Sequence, residues 1–207
     1  MQYKLSILIP ANNEMFLAKT VEDILAHIES DTEILVGLDG SWADPVIPDH
    51  PRVKIFHSTE VLGQRAMTNQ LARLSKSRYL LKCDAHCAFD QGFDRKMLEF
   101  FKEQGDDIVA VPIMRNLHAF DWVCEDGHRR YQSPSGVCVE CGKETKRDVV
   151  WIAKHRPEST SYCFDSEPHF QYFNDYKKRP EYLKYKDYNE TQLLQGSFFM
   201  STRHNYW

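Results

Sequence analysis

Two groups of residues in this sequence have side chains and spacings that could do chemistry. The first is Asp84-Ala85-His86, which follows the apolar run Tyr79-Leu80-Leu81-Lys82-Cys83. In an extended backbone, residues two apart point to the same side, so this carboxylate and imidazole could grip one cation together. Ala85 between them leaves room for a ligand to come close. A mixed oxygen and imidazole donor set suits Mn2+ at least as well as Mg2+. The alternative is a turn aspartate followed by a surface histidine.

The second group is Cys124-x3-His128, then nine residues, then Cys138-Val139-Glu140-Cys141-Gly142-Lys143. Cys-x-x-Cys-Gly makes a tight knuckle in which two thiolates converge on one ion and glycine permits a positive φ. Four borderline or soft ligands in two pairs suit tetrahedral Zn2+ in a structural, fully occupied site. Residues 124–147 contain few apolar side chains to fold around without a metal, which weighs against ordinary free cysteines. A redox Cys-x-x-Cys normally opens a helix, and no helical pattern follows here.

The elements that must position the first group follow from hydrophobic spacing. Continuous apolar runs predict buried strands at 5–10, 32–38, 53–56, 78–83 and 108–112. Helical spacing predicts helices at 15–27, 64–74 and 93–102. Asp39-Gly40-Ser41 is a turn at the carboxyl end of the second strand. Alternating strands and helices predict an α/β fold with a doubly wound, mostly parallel sheet and right-handed crossovers. In such sheets ligands bind just beyond the carboxyl ends of the strands, where Asp84 falls. From about residue 117 the alternation breaks. A strand resumes at 149–153, and 194–201 is apolar again around Gly196.

Composition narrows the function classes. With 207 residues, 42% hydrophobic and 27% charged, the chain is ordinary for a globular protein. A net charge of −4 gives no global field towards nucleic acid or acidic membranes. No apolar run reaches the ~18 residues that a membrane helix needs. Met1-Gln2-Tyr3-Lys4 leads straight into a strand and does not read as a signal peptide. Six cysteines, three of them close to a histidine, fit a reducing, cytoplasmic setting with metal-bound thiolates.

Ile7-Leu8-Ile9-Pro10-Ala11-Asn12-Asn13-Glu14, Leu38-Asp39-Gly40-Ser41, Gly63-Gln64-Arg65-Ala66 and Asp84-Ala85-His86 stand in an order and spacing with a precedent. They resemble the motifs of nucleotide-sugar glycosyltransferases of the GT-A fold, family 2-like. The Asp-x-His form followed by Cys87 is most similar to the polypeptide N-acetylgalactosaminyltransferases. Gln195-Gly196-Ser197-Phe198-Phe199-Met200-Ser201 looks like the glycine-containing strand beneath the donor sugar. The resemblance implies a transferase that uses a nucleotide-diphosphate sugar, a UDP-sugar, with Mn2+ or Mg2+ at Asp84 and His86.

It further implies that Pro10, Asn12 and Glu14 line the nucleotide pocket, that Asp39 accepts from uracil N3–H, and that Arg65 faces the diphosphate or ribose. Each has a plainer reading. Asn13 and Glu14 could start a helix, Asp39-Gly40 is a common turn pair, and Arg65 could be a solvated helix residue. Leu38 replaces one of two acidic residues usual before the Gly-Ser turn. The family's catalytic carboxylate and third metal ligand would lie beyond Trp207, so no general base is assigned.

The expected organisation is a nucleotide-sugar-binding half at 1–116, a zinc-ribbon-like insertion at 117–150, and an acceptor-side segment with a returning strand at 151–207. In that last segment Tyr162, Phe164, Phe170, Tyr172, Phe173 and Tyr176 alternate with Asp165, Glu167, His169 and Asp175. They read either as contacts for a sugar or peptide acceptor or as a layer covering the sheet. The acceptor could be a glycan, a protein or a modified nucleic acid. An alternative is a non-catalytic zinc-ribbon binding module on a degenerate transferase scaffold. Arg129, Arg130, Lys143, Lys146 and Arg147 are balanced there by Glu125, Asp126, Glu140 and Glu144, a normal solvated surface.

Overall fold

The structure is a computed structural model, and it describes residues 3–157, 161–164, 166–167, 169–172, 175, 178, 188, 190–191 and 196–204. In chain order the elements are β1 (Leu5–Ala11), α1 (Leu17–His27), β2 (Thr32–Asp39), β3 (Val53–Ser58), α2 (Gln64–Leu74), β4 (Tyr79–Lys82), α3 (Phe93–Gln104) and β5 (Val109–Ala110). There follow β6 (Arg115–Cys124), β7 (Arg129–Tyr131), β8 (Thr145–Pro157), β9 (Ser161–Phe164), β10 (Phe170–Tyr172) and β11 (Phe198–Ser201). The chain divides into two compact units, Met1–Pro112 with Leu194–Trp207, and Ile113–Leu193.

The first unit is built on a sheet ordered β3-β2-β1-β4-β11-β5. β3, β2, β1 and β4 run parallel, and β11 pairs antiparallel with both β4 and β5. The side-chain period of two sorts each central strand between two cores. Leu5, Ile7, Ile9 and Ala11 of β1 and Ile34, Val36 and Leu38 of β2 pack with Leu17, Val21 and Ile24 of α1 and Phe93 and Phe101 of α3. Leu8, Leu35 and Leu80 pack on the other side with Met67 and Leu71 of α2. Helices on both faces leave β1 and β2 buried along their whole length. The fold is therefore α/β with a mostly parallel sheet, as the spacing predicts.

In the second unit β6 pairs antiparallel with β7 and β8, and β9 with β10. β6 was not foreseen from the sequence. It alternates Leu117, Ala119 and Asp121 with His118, Phe120 and Trp122, so a polar residue in each set blurs the period. The aromatic stretch at 159–188 lies largely outside the described residues: Asp165, Phe173 and Tyr176 fall there, as does Gln195 before β11.

Candidate functional site

The carboxyl ends of β1, β2 and β4 are joined by a ring of side-chain contacts. Pro10 is the penultimate residue of β1. Just beyond that strand, the Asn12 side-chain amide donates to the Asp39 carbonyl at the end of β2. Asp39 is only 3% exposed. Its two carboxylate oxygens accept the backbone N–H groups of Leu62 (2.7 Å) and Gly63 (2.9 Å), fixing the loop that leads into α2. From the first turn of α2, Gln64 Nε2 donates to Asp84 Oδ1 at 3.2 Å, while Arg65 beside it is exposed. The ring closes where His86 Nδ1 lies 3.5 Å from Glu14 Oε2.

The local geometry of Asp84 and His86 differs from the extended pair expected. β4 ends at Lys82, and Ala85 and His86 lie in a turn, so strand alternation does not relate the two side chains. Asp84 instead has a cationic partner that the sequence reading passed over. Lys82, a buried lysine, donates from Nζ to Asp84 Oδ1 and, at 2.6 Å, to the Gly196 carbonyl. A lysine in an otherwise apolar run was the available signal. Gly196 approaches the other oxygen, where a Cβ would come within 2.5 Å of Asp84 Oδ2. Only glycine leaves that oxygen uncovered. Burial pushes the flanking Cys83 thiol well up and raises that of Cys87, so both stay protonated at neutral pH. A carboxylate paired with an ammonium at one oxygen, with the second kept clear, offers a donor atom that fits a cation.

The second unit holds a separate cluster. The end of β6 supplies Cys124, the residue before β7 is His128, and a turn before β8 supplies Cys138 and Cys141. In that turn Gly142 N–H donates to the Cys138 carbonyl at 2.8 Å, and Gly142 takes φ +73°. One ligand atom from each residue lies within 4.8 Å of all the others. The His128 Nδ1 is 3.6 Å from both Cys124 Sγ and Cys138 Sγ, and Cys141 Sγ is 3.6 Å from Cys124 Sγ. A tetrahedral ion with ~2.3 Å bonds to sulfur and ~2.05 Å bonds to nitrogen requires S···S of about 3.8 Å and S···N of about 3.6 Å. The four residues fit such an ion. His128 Nε2 faces Glu140 Oε2 at 3.5 Å, an outer carboxylate of the kind that orients ligating imidazoles.

The backbone N–H groups of Cys141 and Glu140 lower the Cys138 thiol to about 6. Cys141 accepts from the Lys143 N–H, yet desolvation and the sulfurs of Cys138 and Cys124 push it up to about 12. Cys83, Cys87, Cys124, Cys138 and Cys141 are free thiols. No described helix is long and apolar enough to cross a membrane.

Comparison with solved structures finds distant similarity. S. aureus TarS 1-349 in complex with UDP-GlcNAc is 15% identical over 52% of this chain and 33% of that one, with a TM-score of 0.45. The mannosyltransferase PcManGT from Pyrobaculum calidifontis, in complex with GDP-Man and Mn2+, is 17% identical over 56% and 36%, with a TM-score of 0.44. The match thus spans about a third of the length of either. No curated protein matches. Residues 6–123 match the family described as Glycosyl transferase family 2. That segment is more than half of the chain and contains the whole ring from Pro10 to His86, and the protein belongs to glycosyl transferase family 2.

Proposed function

We propose that the protein transfers a sugar from a nucleotide-diphosphate sugar, a UDP-sugar, with Mn2+ or Mg2+ held by Asp84 and His86. The observation that carries this reading is the ring itself: Asn12, Asp39, Gln64, Asp84 and Gly196 meet where open α/β sheets bind ligands. Asp84 and His86 would hold a divalent cation there, and its positive charge would offset the negative charge that grows on the leaving diphosphate.

The chain's own residues supply the rest. Asp39 orders the loop that sets out Arg65 towards the diphosphate or ribose, and its carboxylate oxygens keep lone pairs that can accept from uracil N3–H. Pro10 and Asn12 wall the nucleotide pocket. Glu14 orients the His86 ring. Asp84-Ala85-His86-Cys87 has the form found in polypeptide N-acetylgalactosaminyltransferases, which supports a metal-dependent donor site.

In the second unit the cluster of Cys124, His128, Cys138 and Cys141 holds a structural Zn2+. Four thiol and imidazole ligands fill the tetrahedron and leave no position for substrate. Thiols kept free for a metal fit a cytoplasmic, reducing setting. The acceptor is a glycan, a protein or a modified nucleic acid.

Titration of UDP against the protein, with and without Mn2+, tests the donor site. UDP binding should require the metal and weaken at least about tenfold, or ~1.4 kcal/mol, in Asp84→Ala. Metal-independent UDP binding that Asp84→Ala leaves unchanged would sink the reading.

A further inference from the structure

Lys82 stands on the α2 face of β4, on the same side as Leu80, with its side chain 9% exposed. A buried ammonium is tolerated only when paired and hydrogen-bonded, and here Asp84 Oδ1 and the Gly196 carbonyl do both. Lysine carries a compact point charge on a flexible stem. It holds Asp84 Oδ1 and leaves Oδ2 to a metal ion. Two cations on one carboxylate repel each other, so a divalent ion at Oδ2 binds fully only as Nζ withdraws from Oδ1. A withdrawn ammonium in this dry environment needs a new anion, and the one arriving at the site is the donor diphosphate.

We propose that Lys82 is a resident counter-cation that competes with a divalent ion for Asp84, which couples metal binding to the arrival of the anionic donor. Lys82 is a positioning residue in this scheme. It keeps the metal affinity low in the absence of donor, and the displaced ammonium then adds positive charge beside the diphosphate. Because coupling between two ligands is reciprocal, UDP should tighten Mn2+ by the same factor by which Mn2+ tightens UDP. The inference rests on the reading of Asp84 as a metal ligand.

The test is Mn2+ binding followed by the electron-spin-resonance signal of the free ion, with and without UDP. The proteins are wild type, Lys82→Met, Lys82→Gln, Lys82→Arg and Asp84→Ala. Lys82→Gln is neutral but still able to donate to the Gly196 carbonyl, so it serves if Lys82→Met fails to fold. The neutral variants should bind Mn2+ alone at least about tenfold more tightly than wild type, with UDP adding less. Lys82→Arg, which keeps the charge, should stay near wild type.

If the neutral variants bind Mn2+ no more tightly while Asp84→Ala abolishes binding, the role of Lys82 is overturned and the metal site stands. If Mn2+ binding is indifferent to Asp84→Ala, the metal reading fails and the Lys82 proposal falls with it.

Discussion

In the unit formed by residues 1–112 and 194–207, Leu5, Ile7, Ile9, Val21, Ile24, Ile34, Val36 and Leu81 are all fully buried. In the unit spanning 113–193, the buried hydrophobic residues among those described are Ala119, Cys124 and Cys138, while Val137, Val139, Val149 and Ile152 are exposed. Two units of one chain thus offset the entropy of ordering in different ways. The first does so by layering helices on both faces of a sheet. The second brings four ligand atoms to one end of a three-stranded sheet. Along that sheet Arg147 lies over the rings of Phe120 and Trp122, 5.2 and 4.9 Å from their centroids. The comparison teaches that apolar burial and ligand convergence are alternative sources of order, each legible from residue type.

Removing the metal should break the second unit and spare the first. Structural zinc contributes roughly 10–16 kcal/mol in small zinc modules. A chelator, or Cys138→Ser with Cys141→Ser, should therefore remove about one tightly held zinc per chain. Amide exchange should rise in β6, β7 and β8 while β1 and β2 stay protected. Equal protection of both units after metal removal would dissolve the contrast.

The converse cut is Leu81→Ala. Leu81 is fully buried in the α1 and α3 core, and its truncation should cost about 2–5 kcal/mol. Denaturant unfolding should show that loss in the transition of the first unit, with zinc retention unchanged.

The smallest effect sharpens the cluster from within. Immediately after zinc is stripped, before the second unit loosens, Cys138, held to about 6 by backbone N–H groups, is thiolate at neutral pH, whereas Cys141, pushed up to about 12, is a thiol. Pulsed alkylation at pH 7 should label Cys138 first. Its advantage should fade as pH falls through about 6, because the thiolate is then protonated. Equal labelling of both residues would contradict the assigned environments.

The strands and helices of the first unit were legible because continuous apolar runs and 3.6-residue spacing are properties of neighbouring residues. α2 falls at Gln64–Leu74, the span that its spacing predicts. The four Cys/His positions were legible for the same reason, since ligand spacing is local to each pair. β6 was not, because aromatic residues such as Phe120 and Trp122 alternate with positions that include Asp121. The geometry at Asp84 was not legible either: the strand stops at Lys82, and sequence periodicity does not mark where a buried strand turns.

What the sequence by itself determined is the alternating α/β order, the Cys/His set and the residues gathered at the strand ends, all of which local chemistry dictates. Only the tertiary structure decided that Asp39 spends its carboxylate on the loop before α2, that His86 faces Glu14, and that Lys82 sits on Asp84. The same holds for Gly196, brought to Lys82 from 114 positions along the chain. Contacts of that separation leave no periodic trace, because they are set by strand order in the sheet and by which side chain fills the space left beside a buried charge.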